Sequence, residues 1–233
     1  MTVEEMHYDF KVKLNKVDSQ RNRNLTIPNI DWKLNEAQEL FVQETLRLRL
    51  NNELGFEKTQ QGMDAVRTIV VSGYDIAVID KVAPLPDDYW HFISGTANFQ
   101  KQGCSDRTGI IKTQEINTLY NRSSFDKSSY EWGEVTSVFE GNNLVLSPSV
   151  SFNINEVTIN YIRRPRRIHN AKDYKAGSYT ALDGTVLTGS ADCELPEHVH
   201  RKIVDIAVFS TVSDLNAGDI TTIINKLNYN TLK

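Results

Sequence analysis

The sequence predicts an α+β protein: a helical bundle, built from an N-terminal helix pair and C-terminal helices, carrying an antiparallel β-rich insertion. Three observations predict it. Apolar residues recur at helical spacing from about residue 35 to 70, they alternate with period two in stretches from Tyr74 to Ile162, and helical spacing returns after Leu195. Helices, then strands, then helices argue for segregated layers and an antiparallel sheet. The expected organisation is an extended N-terminal arm over 1–30, a helical bundle from 31–73 and 195–233, and a β-rich domain with long loops over 74–194.

Taken in order, residues 1–30 are polar, with Lys, Asn and Arg dominating from Lys11 to Asn24 and Pro28 as punctuation. Such a stretch buries too little apolar surface to fold alone. It reads as a loosely ordered arm with a short strand at Tyr8–Val12, either a frayed terminus or a segment that orders against a neighbouring subunit. Residues 35–54 form the clearest helix. Asn35 is placed as its N-cap with Gln38 completing a capping box, and Gly55 as its stop. Thr59–Val70 reads as a second helix, antiparallel to the first.

From Tyr74 the period is two, and YDIAVIDKVA reads as one strand. Asp87–Gly95 is aromatic and β-branched, a strand with a short helix from Asp87 as the alternative. Phe99–Thr108 reads as turns, Ile110–Ile116 as a weak strand or the entry to a short helix reaching Tyr120, and 121–134 as a long surface loop tied down by Phe125, Tyr130 and Trp132. Gly141-Asn142 between Val135–Glu140 and Asn143–Ser147 signals a hairpin. Val157–Ile162 alternates most cleanly of all. A small hairpin is expected around Asp183-Gly184. Leu195-Pro196-Glu197 opens a helix ending near Asn216, and Asp219 caps a last helix.

The totals bound the function. The chain has 233 residues, 39% hydrophobic and 24% charged, which is a globular composition. A net charge of -4 supplies no global basic field for nucleic acid or anionic lipid. Cys104 and Cys193 lie far apart and show no metal-ligand spacing, so two free thiols are expected. The N-terminus lacks the basic and apolar regions of a signal peptide, and no apolar run reaches the ~20 residues of a membrane span.

Candidate chemistry is sparse. Arg163, Arg164, Arg166 and Arg167 around Pro165 are the sharpest charge feature. They suit a solvated strand end, carboxylates of a partner subunit, or phosphates of passing nucleic acid, and the net charge ranks the last of these lowest. His198 and His200 are two apart on a helix and point to different sides, and His91 sits in an aromatic run, so no metal site is expected. Asp87 and Asp88 are adjacent and cannot act as a carboxylate pair in a strand. Ser94 lacks a nucleophile elbow, and no phosphate-binding glycine loop is present. The expectation is a protein that is not an enzyme and carries no cofactor.

Three stretches taken together resemble a family. They are Asp31–Glu39, Leu85–His91, and the pairing of Val157–Pro165 with Cys193–His200. Over about residues 31–215 the chain resembles the neck ring proteins, or head-to-tail adaptors, of short-tailed, crAss-like bacteriophages. The resemblance implies a virion structural protein that forms a closed homo-oligomeric ring, commonly of twelve copies, under the portal protein. Double-stranded DNA would pass through its channel. It implies further contacts with other neck or tail rings and with tail fibres, assembly in the host bacterial cytoplasm, and a C-terminal segment, here Asp219–Lys233, docked on the portal. The alternative is a tail-side or fibre-docking ring of the same virion that does not touch portal.

Overall fold

A computed structural model describes residues 1–17, 25–50, 56–113, 128–147 and 151–215. Its organising element is a curled seven-stranded mixed sheet, and the described residues include four α-helices. This overturns the expected helical bundle with a β insertion. The chain divides into two compact units: Met1–Ile69 with Pro165–Lys233, and Val70–Arg164. Residues 165–194, expected among the strands, thus belong to the first unit.

Three helices form the framework of the first unit. Helix α1 is Val3–Val17, where an extended arm was expected. Val3, Met6, Phe10 and Leu14 fall at helical spacing and are all buried, which explains the correction: a narrow apolar stripe suffices once there is a neighbour to cover it. Helix α2 is Ile27–Leu50 and starts eight residues before Asn35. Pro28 does not break it, because a proline in the first helical turn removes an N–H that has no helical partner. Thr26 O receives the amides of Asn29 and Ile30 instead. Asn35 is therefore an interior residue and not a cap. Helix α3, Phe56–Val66, runs into a 3-10 turn at Arg67–Ile69. Helix α4, Glu197–Leu215, matches the expected C-terminal helix and buries Val199, Ile203, Val204, Ala207 and Val212. It packs on both α1 and α2. The expected last helix from Asp219 lies outside the described residues.

The second unit is the sheet, with strand order β1-β7-β3-β4-β5-β6-β2. The strands are β1 Val70–Ala77, β2 Val82–Pro84, β3 Tyr89–Gln100, β4 Arg107–Thr113, β5 Glu134–Glu140, β6 Asn143–Ser147 and β7 Asn153–Arg163. The cleanly alternating stretch became β7, which pairs with β1 on one side and β3 on the other. The β5–β6 hairpin turns at Gly141, whose φ of +58° suits glycine. The expected all-antiparallel sheet is corrected at one place: β4 and β5 run parallel, with Ile110 opposite Glu134. No local pattern announces a parallel pair.

The stretch expected as one strand from Tyr74 is two strands. Ile79 and Val82 exchange amide-to-carbonyl bonds of 3.0 and 2.8 Å across Asp80 and Lys81. Both turn residues are left-handed, at φ +50° and +69°. This is the two-residue hairpin geometry that normally selects glycine or asparagine, so its sequence signal is weak. The turn joins β1 and β2, which are the two ends of the strand order. The sheet curls far enough for its edges to meet there.

Inside the curl, Phe99, Leu144, Leu146, Val157, Ile159 and Tyr161 pack into one core. Gly109 lies under the Phe99 ring. A Cβ at that position would come within 2.2 Å of the ring and 2.6 Å of Gly133 O. Phe99 also meets Phe152, with ring centroids 4.7 Å apart. The pale position in β4 is thus covered by an aromatic from β3.

Gly109→Ala should destabilise the protein by about 1–3 kcal/mol, since neither the ring nor the carbonyl can yield freely. A chemical-denaturation midpoint equal to that of the unmodified chain would contradict this packing. Lys81→Gly should act oppositely, raising stability by up to about 1 kcal/mol by relieving a left-handed non-glycine residue. A lowered melting temperature would count against the closure turn.

Candidate functional site

The most concentrated polar chemistry in the first unit centres on Asp31, which is 1% exposed. A carboxylate at that depth must be paired and hydrogen-bonded. His7 Nε2 lies 2.7 Å from Oδ1, and the Tyr179 hydroxyl donates to Oδ2 at 2.7 Å. The Asn170 amide donates to both oxygens, at 3.2 and 3.1 Å. Burial pushes the Tyr179 phenol well above its ordinary range, and its bond to the carboxylate adds to the rise. Hydrogen-bond donors from three separate segments therefore converge on one acceptor. The arrangement fixes α1, α2 and the segment around Asn170 to one another.

Along α2 the same face continues with Asn35 and Gln38. Asn35 Nδ2 donates to Ile168 O at 2.7 Å, and the Ile168 amide donates back to Oδ1 at 2.9 Å. Gln38 Nε2 donates to Arg166 O at 3.0 Å and Oε1 accepts from Cys193 Sγ at 3.2 Å. Burial raises the Cys193 thiol to about 11, so this cysteine stays protonated and unreactive near neutrality.

The four arginines fall on either side of the boundary between units. Arg163 ends β7 and the Arg164 amide donates to Asp88 O at 2.8 Å. Arg166 and Arg167 belong to the first unit. The Arg166 amide donates to Glu194 Oε1 at 2.6 Å, and Arg167 pairs with Asp183 at 2.6 Å. Asp183 occupies the tip of a hairpin formed by β9, Ser178–Thr180, and β10, Val186–Thr188, as the sequence led one to expect. Two-residue strands β8, His169–Asn170, and β11, Ser190–Ala191, pair beside it. The hairpin is anchored at its base through Tyr179 and at its tip through Arg167. Leu182 and Val186 nevertheless stand 85% and 63% exposed.

In the second unit, Tyr130 and Trp132 share one tight turn, while Phe125 lies outside the described residues. Ser129 and Glu134 exchange main-chain bonds, and Gly133 is left-handed at φ +65°. Arg107 donates to the carbonyls of Glu131, at 2.8 Å, and Tyr130. Lys101 lies 5.0 Å from the centre of the Tyr130 ring and 3.0 Å from Glu131. Tyr130 is thus held down, and Trp132 is 81% exposed on a turn that is itself fixed. Ile110, 60% exposed, is on β4, whose partner strand starts two residues after Trp132.

The histidines separate as their spacing demands. His200 is buried with Nε2 2.7 Å from Leu195 O, and His198 is exposed. Among the described residues no group of three or more His, Cys, Asp or Glu is placed to hold a metal. Asp87 and Asp88 precede β3, and Asp88 accepts from the Tyr161 hydroxyl at 2.9 Å. A groove of about 790 Å³ is lined by Glu4, Glu5, Tyr8, Asp9 and Glu197, with Lys13 and Arg201. Its acids already have partners: Glu4 meets Lys172, Asp9 meets Lys13, and Glu197 meets the Met1 amine. No described helix is long and apolar enough to cross a membrane.

Sequence inspection singled out the arginines and the Tyr130–Trp132 turn. It missed the Asp31–Asn35–Gln38 row. The available signal was three hydrogen-bonding side chains at i, i+4 and i+7, two of which read as a capping box when the helix is expected to start at Asn35. No family model matches the chain, and no curated protein matches it.

Burial, together with the Asp88 acceptor, raises the Tyr161 phenol from 10.0 to about 12. A folded-state value above the unfolded one means that this contribution is complete below pH 10 and is lost as pH rises towards about 12. Tyr161→Phe should therefore flatten the alkaline fall in stability between those limits, measured by denaturant titration at stepped pH. An unchanged slope would show that Tyr161 ionises alike in the folded and unfolded chain.

Proposed function

We propose that this chain is a structural subunit of a phage neck: a head-to-tail connector that assembles with copies of itself into a ring below the portal and lines part of the DNA conduit. The observation that carries the reading is a pair of unlike, rigid, exposed apolar elements. One is the Arg167-clasped hairpin with Leu182 and Val186, and the other is the Arg107-clasped turn with Trp132 near Ile110. A closed ring requires heterologous contacts, so each subunit must present two different surfaces. Immobilised aromatic and aliphatic side chains are efficient anchors, because little side-chain entropy is lost when they are covered. The resemblance of Asp31–Glu39, Leu85–His91, Val157–Pro165 and Cys193–His200 to neck ring proteins supports the same reading.

In this reading the exposed Arg164 and Arg166 are contact residues, with guanidinium forks suited to carboxylates of the neighbouring copy, while Arg167 holds the hairpin through Asp183. The net charge of -4 also suits a conduit, since a strongly basic lumen would retain DNA.

Sedimentation and electron microscopy of the purified chain, with and without portal, should show a closed ring of fixed rotational symmetry. Trp132→Ala should weaken assembly at least about tenfold, the effect of an anchor worth about 1.4 kcal/mol or more, while leaving the melting temperature unchanged. Changing Arg163, Arg164, Arg166 and Arg167 to Gln should likewise abolish rings. A chain that stays strictly monomeric and ignores portal under assembly conditions would overturn the proposal. Intact rings with slowed genome ejection in the arginine variant would move those residues from the subunit contact to DNA.

A further inference from the structure

The row on α2 has a geometry that ordinary helix packing does not require. Asp31, Asn35 and Gln38 bind the main chain of Asn170, Ile168 and Arg166 in turn, two residues per step and antiparallel to the helix. The Asp31–Asn35 step rises ~6 Å and the Asn35–Gln38 step ~4.5 Å, against ~6.6 Å for two extended residues, and the longer Gln38 side chain spans the remaining difference. Asn35 even supplies a donor and an acceptor to the same residue, as a neighbouring strand would. The helix face is acting as a surrogate strand.

We infer that Pro165–Asn170 is a strap latched to α2 by main-chain recognition, and that Asp31, Asn35 and Gln38 are positioning residues that set how Arg166 and Arg167 are presented. Three observations carry this. The contacts from α2 address peptide groups, so they leave both arginine side chains outward, and both residues are exposed. Ile168, the next residue after Arg167, is fully buried, a peg that fixes the strap's rotation. The Arg166 amide is taken up in turn by Glu194 Oε1. Pro165 further restricts the chain where it enters the unit. The use of the arginines in a subunit contact rests on the ring reading; the latch itself does not.

The latch is tested on the full chain with Asn35→Leu, which keeps the branched shape and removes the amide. Hydrogen exchange at the Ile168 and Asn170 amides should accelerate at least about tenfold, while the Ile203 and Val204 amides of α4 stay within about twofold. Trypsin should then cut after Arg166 and Arg167, where the unmodified strap resists. Unchanged exchange at Ile168, or an equal rise across α4, would overturn the latch, the latter by showing that Asn35 serves only global stability. If Asn35→Leu does not fold, Gln38→Leu should expose the Arg166–Arg167 bond alone with Ile168 still protected, and continued resistance there would overturn the inference. Main-chain recognition also requires that Arg166→Ser with His169→Ser leave Ile168 protection intact; its loss would sink the idea. In Asn35→Leu with a loosened strap, rings that still form would remove the arginines from the subunit contact while leaving the latch standing.

Discussion

The first unit depends on a single buried carboxylate. Asp31 accepts from Tyr179 and Asn170 and contacts His7, three groups distant in sequence, of which His7 and Asn170 are buried. Removing the carboxylate would strand buried polar groups from α1, the strap and the small hairpin at once. Such a network is specific in proportion to its cost, and here His7 Nδ1 and Asn170 Oδ1 are buried without a hydrogen-bond partner among the described residues. It therefore selects one arrangement of α1, α2 and residues 166–179 over the many that apolar packing alone would accept. Asn35 and Gln38 extend the same selection towards the arginines.

The sheet unit is constrained differently. Its problem is closure, since a seven-stranded sheet leaves two edges with unpaired main-chain groups. Curling brings those edges to one hairpin, and β1 is further blunted by a bulge where the Gly73 amide donates to the Asn160 side chain at 2.8 Å. Aromatic packing fills what the curl encloses. Phe99 fills the space over Gly109 and packs against Phe152. The two edges meet only at the Ile79–Val82 bridge, and Trp132 is the most exposed aromatic side chain of this unit among the described residues, on a fixed turn.

The two units share a way of offering contact. In each, a turn is pinned by an arginine, Arg167 at Asp183 in one and Arg107 at the Tyr130 and Glu131 carbonyls in the other, and each pinned turn carries exposed apolar side chains. Rigid display lowers the entropy lost on association, and it is this property, more than exposure alone, that favours an assembly role.

The sequence by itself determined the elements whose signals are local. The β5–β6 hairpin follows from Gly141, β7 from its alternation, the Ser178–Thr188 hairpin from Asp183-Gly184, and α4 from its apolar face. Tyr130, Trp132 and the arginines were legible as candidates because aromatic and charged residues stand out in a polar loop. Tertiary structure alone decided the rest. Helix α1 needed neighbours to cover a narrow stripe, and α2 needed its start read through Pro28. The Asp80–Lys81 turn lacks the glycine that would announce it, and the parallel β4–β5 pair joins strands across a long connection. Whether Asn35 and Gln38 cap a helix or bind a strap depends on what lies opposite them. Propensity and periodicity act within a turn or a strand, whereas pairing and the burial of polar groups are settled between residues more than a hundred positions apart.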